Sequence, residues 1–513
     1  MNNGKICVSV CAETADELIE QIKRAEDLAD VIEIRFDCLK DIEEANLWRI
    51  VGETSKNFRG KLLATFRPLE QGGKIKLSAK EREDFWVHSH VFESIKWADL
   101  ELDFSEDKIN SLWGKAFEQI IKSFHDFSSV PENLEEIYTK LSENGEIPKI
   151  AVQTEDITDT IAVWKLIEKA KSEKKQIIPI AMGESGKWTR ILSLAHGAFM
   201  TYAALDTGRE TAPGQISARD LREVYRVKEL NRETEIYGII GGNTGYSMSP
   251  VMHNAAFQFH NLNAVFVPLQ VRNLDEFIRR MVKPGTREIE LNFKGFAVTI
   301  PHKQNIIKYL DVLDESAKKI GAVNTVKIEN GKLFGYNTDA QGFIEPLKTA
   351  YGDLCDAKVA VSGAGGAARA CVYALKKEGA EVTIFARDSE KSRNLAEEFQ
   401  VDLKRLPKTE DQRLKTDFND FDILVNATPL GTKGELENET VAAAEQIENV
   451  KIVYDLIYNP FQTKLMEEAD KVHVPKIGGL AMLVAQAMAQ QKIWTELDAP
   501  MRKMSRAVLE RLK

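Results

Sequence analysis

The sequence predicts an α/β protein with two unlike halves: a closed (β/α)8 TIM barrel, then a two-domain α/β unit containing a Rossmann nucleotide-binding fold. Three observations predict it. Up to about residue 228, short apolar, β-branched runs alternate eight times with longer amphipathic stretches. Continuously apolar strands joined by helices make a parallel sheet buried on both faces, and eight such units close into a barrel. The segment EVYRVKELNRETEIYG then turns polar, which puts a boundary near residues 228–234. Farther on, KVAVSG, AARACVYALKKEG and EVTIFARD give the strand, glycine turn, helix and second strand that carry a dinucleotide site.

A chain of 513 residues exceeds what one core serves, so several domains are expected. Its 43% hydrophobic and 29% charged residues describe a globular protein, and a net charge of -10 argues against a nucleic-acid surface. No apolar run reaches the ~20 residues of a membrane helix. MNNGKICVSV enters a strand pattern at once, leaving no room for a targeting peptide, so a cytoplasmic location is expected. Cys7, Cys11, Cys38, Cys355 and Cys371 are scattered, without zinc-site spacing. A reduced state is therefore expected, with Cys7 and Cys11 as small apolar fillers and no metal in either half.

The barrel strands are ICVSV, VIEIRF, LLATFR, WADLELDF, QIIKSFHDF, KIAVQT, IIPIAMG and MTYAAL, with helices such as ETADELIEQIKRAEDL between them. In VIEIRFD, Glu33, Arg35 and Asp37 are spaced by two, so one face of a buried strand carries three charges. Arg67 ends LLATFR, His125 and Asp126 end IIKSFHD, and Lys149 lies in PKIAVQT. Buried charges are costly unless paired, so they mark either a site or a structural ion network near a barrel mouth. Lys149 favours the site. A barrel-interior lysine near a histidine suits Schiff-base catalysis, with the amine depressed from ~10.4 towards ~7–8 by burial beside Arg35 or Arg67. His125 would shuttle the proton.

The set EIRFD, FRPLEQGG, SFHDF, IPKIAV, PIAMG and ETAPGQIS resembles the type I 3-dehydroquinate dehydratases over residues 5–226. The resemblance implies that Lys149 forms an imine with the substrate ketone and that His125 moves the protons. It also implies that Glu33, Arg35, Arg67, Arg190, Thr211 and Gln215 hold the substrate carboxylate and hydroxyls, with Met182 beside the imine. Arginine pairs bidentately with carboxylates whatever the family. One departure stands out: the family has an acid directly before the Gly-Gly of this loop, where this chain has Gln71, with Glu70 one step earlier. Altered affinity is expected from it.

In the second half, Gly363, Gly365 and Gly366, with Ala364 and Ala367, form a turn that lets backbone N–H groups approach pyrophosphate at a helix N-terminus. Arg387 and Lys391 after the second strand can flank a 2′-phosphate, and Asp388 would oppose it if it faced inward; the balance favours NADP over NAD. Lys303 in GFAVTIPHK and Asp339 in GYNTDAQG supply an ammonium and a carboxylate. Hydride arriving at a ketone creates an alkoxide that needs such a cation or acid.

IYGIIGGNTGYSMSPVMHN, IGAVNTV, GYNTDAQG, VYDLIYNP and GGLAMLVAQA resemble shikimate dehydrogenases across residues 235–505. The resemblance implies a substrate domain at 234–340 completed by helices at about 478–513, and a Rossmann domain at 341–477. Carried over, Ser247 and Ser249 bind the substrate carboxylate, while Thr299, Asn324 and Gln486 bind hydroxyls. Lys303 and Asp339 transfer the proton, Tyr458 adds a hydroxyl, and Asn426 and Thr428 of NATPLG lie beside the cofactor. His253 and His302 are expected to be structural. Ala297 replaces an asparagine that often contacts substrate, and ARDSEK departs from the usual nucleotide loop. These departures keep open a quinate or quinate/shikimate dehydrogenase using NAD. A non-catalytic metabolite sensor would have shed Lys149, His125, Lys303 or Asp339, all of which are present. The two halves therefore match consecutive reactions on small-molecule substrates, dehydration of 3-dehydroquinate and NADPH-dependent reduction to shikimate, with monomer or homodimer both open.

Overall fold

The computed structural model describes all residues except 1, 55–57, 59, 88–94, 106, 108–110, 112–116, 144, 388, 407–415 and 513. Asp388, part of the expected nucleotide loop, lies outside the described residues. The chain forms two compact units: Met1–Ile236 with Asn243–Tyr246 and Asn263–Asn292, and Tyr237–Gly242 with Ser247–Leu262 and Phe293–Lys513.

In the first unit, β1 (Lys5–Val10), β2 (Val31–Arg35), β3 (Lys61–Thr65), β4 (Trp97–Glu101), β5 (Gln119–Asp126), β6 (Ile147–Gln153), β7 (Ile178–Met182) and β8 (Met200–Ala204) coincide with the eight expected runs. A short β9 (Ile216–Ser217) adds to them. All pair in parallel, in the order β7-β6-β5-β4-β3-β2-β1-β8-β9. Cys7, Val31, Leu63, Trp97, Ile121, Ile147, Ile178 and Met200, one from each of the eight main strands, meet in a single cluster. Only a sheet curled into a TIM-like barrel lets all eight meet.

The strand period of two then stacks the interior in layers. Two residues beyond the apolar layer come Ser9, Glu33, Thr65, Asp99, Ser123, Lys149 and Tyr202, and two beyond those come Arg35, Arg67, Glu101 and His125. The polar layers thus lie towards the C-terminal strand ends, where barrel enzymes keep their chemistry.

Two expectations fail here, that the cysteines are all reduced and that Cys11 is a filler. Cys11 is bonded to Cys38, with Cα atoms 5.5 Å apart, so it is no apolar filler. They lie just beyond β1 and β2, and the parallel pairing of those strands brings together residues 27 apart in sequence. Cys7 and Cys371 are free and buried, and Cys355 is free and exposed.

The second unit holds most of β10 (Glu235–Gly241), while β11 (Ala264–Gln270) belongs to the first. Beside β10 run β12 (Phe293–Val298), β14 (Thr325–Glu329), β15 (Lys332–Tyr336) and β13 (Val312–Leu313). The helix Gly479–Thr495 returns to this sheet: Gln490 Nε2 donates to Asn324 O (3.2 Å) and Trp494 Nε1 to Val326 O (3.0 Å).

A second, wholly parallel sheet contains β16 (Lys358–Ser362), β17 (Glu381–Ala386), β18 (Asp402–Arg405), β19 (Ile423–Asn426), β20 (Ile452–Asp455) and β21 (Lys476–Ile477). Its order is β18-β17-β16-β19-β20-β21. Strand order reverses between β16 and β19, which opens the crevice in which doubly wound folds bind nucleotides. Among the described residues no helix is long and apolar enough to cross a membrane.

Candidate active sites

Lys149, His125, Glu33, Arg35, Arg67, Arg190, Thr211 and Gln215 all line one cavity at the C-terminal end of the barrel, with Met182, Tyr202, Gln71 and Gly72. Strand alternation puts Lys149 inside, 4% exposed. Its Nζ lies 2.8 Å from Asp99 Oδ2, 3.6 Å from Glu33 Oε1 and 4.0 Å from the Tyr202 ring centre. The expected flanking of the lysine by Arg35 and Arg67 gives way: its nearest charged partners are carboxylates. The cause is β4, whose Asp99 reaches the barrel axis between Arg67 and Lys149.

Arg67 is the hub. Its Nη2 lies 2.8 Å from Asp99 Oδ1, and Nη1 donates to Ser123 Oγ (3.0 Å) and approaches His125 Nδ1 at 3.1 Å. Burial works against this cation, but Asp99, Glu101 and Glu33 hold it protonated. Burial likewise works against the Asp99 carboxylate, and Arg67 and Lys149 nevertheless hold it well below the usual range. Because arginine only donates, His125 Nδ1 accepts and the ring proton sits on Nε2. Desolvation, then Arg67 and Lys149, push the imidazole well below 6.5, so it is neutral and able to accept a proton.

Arg35 is matched differently, by Asp37 through two 2.8 Å bonds. Glu33 accepts from Ser9 Oγ (2.5 Å) and Thr65 Oγ1 (2.9 Å). Thr211 N and Gln215 Oε1 bond at 2.8 Å. Arg190 differs from all of these. It is 2% exposed, donates only to the carbonyls of Tyr202 (3.4 Å) and Pro213 (3.2 Å), and has no carboxylate partner among the described residues. Burial pushes it down to about 10, leaving a cation with coordination to spare.

In the second unit Lys303 and Asp339 meet at 2.5 Å, Nζ to Oδ2. Asp339 opens the helix Asp339–Tyr351, and Asn337 Oδ1 accepts its backbone N–H (3.0 Å). Asn324 Nδ2 donates to the other carboxylate oxygen (2.8 Å) and to Thr338 Oγ1 (2.9 Å), while its Oδ1 accepts from Thr325 Oγ1 and Thr338 N, both at 2.8 Å. Asn324 is thereby engaged in fixing Asp339.

The remaining predicted residues make separate local contacts. Ser249 N donates to Ser247 Oγ (3.2 Å) at the start of the helix Ser249–Phe259. Thr299 N donates to Ile240 O (3.0 Å), and Gln486 Nε2 to Leu483 O (2.8 Å) of its own helix. Tyr458 is half-buried, which raises its phenol. His253 is enclosed by Gln490 (3.1 Å) and Gln491 (3.4 Å), and burial lowers it to about 4.

The glycine turn follows β16. Gly363 has φ +123°, and a Cβ there would lie 2.7 Å from Ala427 O, in the loop after β19. A Cβ on Gly366 would lie 3.2 Å from Lys303 Cδ, whereas one on Gly365 would meet open space. Glycine thus lets the turn close on its neighbours, with Ala364 and Ala367 flanking and Lys303 beside it. Arg387 and Lys391 are exposed after β17. Asn426 is fully committed: Nδ2 donates to Leu430 O and Asp455 Oδ1 (3.0 Å each), and Oδ1 accepts from Thr428 N (3.0 Å) and Oγ1 (2.6 Å). Its side chain shapes this loop.

Sequence reasoning missed Asp99, Ser9, Thr65, Ser123 and Tyr202 in the barrel, and Thr338 and Gln490 in the second unit. The signal for the first lay in WADLELD, where Asp99, Glu101 and Asp103 repeat the spacing already noticed in EIRFD.

Comparison with known proteins is consistent along the chain. The family model for type I 3-dehydroquinase matches residues 6–232, that for the shikimate dehydrogenase substrate binding domain 239–326, and that for shikimate / quinate 5-dehydrogenase 345–477. The bifunctional 3-dehydroquinate dehydratase/shikimate dehydrogenase, chloroplastic, of Arabidopsis thaliana is 33% identical over 97% of this chain and 83% of its own. The shikimate dehydrogenase (NADP(+)) of Methanocaldococcus jannaschii is 40% identical over 55% of this chain and 99% of its own. A crystal structure of shikimate dehydrogenase in complex with NADP+ shares 38% identity at a TM-score of 0.50, covering 55% of this chain and 98% of that one.

Proposed function

The chain belongs to the bifunctional 3-dehydroquinate dehydratase/shikimate dehydrogenases, and from that premise we propose how its residues divide the work. It removes water from 3-dehydroquinate and reduces the resulting 3-dehydroshikimate to shikimate with NADPH. We assign residues 1–228 to dehydration, 234–340 with 478–513 to holding the second substrate, and 341–477 to the nucleotide.

The observation that carries the dehydratase assignment is a buried lysine in one cavity with a neutral histidine and an arginine lacking a carboxylate. Arg190 takes the substrate carboxylate, a pairing for which its fork is shaped. Lys149, once deprotonated, adds to the ketone; loss of water gives an iminium. His125 accepts the proton from the adjacent carbon, and the electron pair moves onto the iminium nitrogen. That pair returns to expel the hydroxyl, which leaves as water with the proton from His125. A second water hydrolyses the imine and frees Lys149. Asp99 and Glu33 keep the lysine aimed, while Tyr202 and Met182 form an apolar wall.

For reduction, the open space at Gly365, the positive φ of Gly363 and the N-terminus of the helix Gly366–Lys377 fit a dinucleotide pyrophosphate. Arg387 and Lys391 are the cations available for the NADP phosphate, and Thr428 sits on the adjoining loop. The nucleotide supplies the hydride. Lys303 donates a proton to the alkoxide, with Asp339 holding the ammonium in place. Asn324 locks Asp339, and Ser247, Ser249, Thr299, Tyr458 and Gln486 supply polar groups for the rest of the substrate.

Borohydride added to the purified chain with 3-dehydroquinate tests the first half. A reduced adduct on the peptide containing Lys149 is expected; none, with dehydration still occurring, overturns the imine. Given NADPH as well, the chain should carry 3-dehydroquinate through to shikimate.

A further inference from the structure

One buried acid in the barrel is used by no step so far. Glu101, the last residue of β4, is fully buried two positions beyond Asp99. Its Oε1 lies 3.4 Å from Arg67 Nη1, and its Oε2 lies 3.2 Å from Arg82 Nη1. Arg82, on the helix Ala79–Val87 and 7% exposed, is held in turn by Asp103 at 2.6 Å. A chain of alternating charges therefore runs Asp103–Arg82–Glu101–Arg67–His125, from an acid 56% exposed to the histidine in the cavity. Glu101 Oε1 makes no aligned hydrogen bond to Arg67, so it acts on that cation through charge.

We infer that Glu101, backed by Arg82, is a positioning residue of the dehydratase centre: its charge offsets Arg67, which otherwise bears on His125. The inference rests on the dehydratase reading. The charged groups facing this line are few. Arg67 comes from just beyond β3, Asp99 from β4, Arg82 from its helix, Arg35 and Glu33 from β2, and Lys149 from β6. Burial pushes Glu101 up to about 7, against the pull of Arg67 and Arg82. Below that pH the acid is neutral, Arg67 keeps only Asp99 and Glu33, and the imidazole becomes a weaker base. Dehydration by the parent chain should thus lose efficiency as pH falls through about 7.

The test is the pH profile of dehydration kcat/KM for the full chain and two variants, with 3-dehydroshikimate reduction as the folding control. Glu101→Gln keeps the shape and removes the charge. It should cost about three- to tenfold above pH 8, cost little below pH 6, and abolish the inflection. Arg82→Met removes a cation from Glu101, so the inflection should move to higher pH. Retention of the parent inflection in Glu101→Gln, or no movement in Arg82→Met, overturns the inference. A parent chain that reduces but never dehydrates overturns the dehydratase reading instead.

Discussion

The two lysines proposed as catalytic solve opposite problems. Lys149 sits in the middle of a β-strand with its side chain 5% exposed, and Lys303 at the start of a short helix with 17%. Each touches a carboxylate, at 2.8 and 2.5 Å, yet the surroundings differ. In the proposed dehydration the barrel lysine becomes covalently attached to its substrate, so the protein alone must supply nucleophile, base, counter-ions and anion clamp. It does so with layers of mutually paired charge along the strands, and with Arg190, on the helix Lys187–His196, left without a carboxylate partner among the described residues. In the proposed reduction Lys303 only delivers a proton, the cofactor bringing the electrons, and one dyad braced by Asn324 suffices. Covalent catalysis without a cofactor demands a dense, rigid charge lattice; borrowed redox chemistry needs a few groups at loop ends.

Removing each lysine breaks this comparison most sharply. Lys149→Ala should abolish dehydration, by about 10³-fold or more, and leave reduction within about twofold. Lys303→Ala should lower reduction kcat by about 10²–10⁴-fold and leave dehydration unchanged. Separate assays of the two steps on each variant check both, and loss of both activities from one folded variant would mean the centres are not independent.

Arg190→Met comes next. Losing a charged hydrogen-bonding partner of about 1.5–3 kcal/mol should raise the KM for 3-dehydroquinate by about 10- to 100-fold. An unchanged KM would show that another arginine takes the carboxylate.

On the nucleotide side, Gly363→Ala meets both the +123° φ and the 2.7 Å approach to Ala427 O. It should destabilise the Rossmann sheet by about 1–3 kcal/mol and weaken NADPH binding, read by denaturant melts and fluorescence titration.

A smaller effect sharpens the contrast in stability. His253, lowered to about 4 by burial, binds fewer protons folded than unfolded between its ordinary 6.5 and that value. Its contribution is fully present above about 6.5 and is lost as pH falls towards 4. His253→Gln should flatten that part of the stability profile for the second half while leaving barrel melting in place. Smallest of all, Arg387→Ala should raise the KM for NADPH several-fold, as exposed charge pairs allow, with NADH unaffected.

Much of this was legible in the chain because β-structure writes its geometry plainly. A period of two exposed Glu33, Arg35 and Asp37 as one face, and apolar runs located all eight barrel strands. The glycine turn, with its flanking elements, gave the Rossmann half. What stayed hidden depended on which strand faces which. Asp99 as the partner of Lys149 needs the β4–β5–β6 register, and the Cys11–Cys38 pair needs β1 beside β2. That Asn324 braces Asp339 and Asn426 braces Asp455 likewise appears only once their neighbours are known. Polar identity is readable from a string of letters; polar satisfaction is a property of neighbours.

The Cys11–Cys38 bond turns the helix–strand segment that follows β1 into a covalent ring containing the helix Ala15–Ala25 and all of β2. A protease nick anywhere within that ring leaves the chain in one piece on a gel run without reductant and splits it once thiol is added. The ring also carries Glu33, Arg35 and Asp37, so a severed backbone there would still tether three of the barrel's charged residues to the rest of the sheet. The first helix with β2 is in this sense a link fastened at both ends, and its connectivity can be read from band mobility alone.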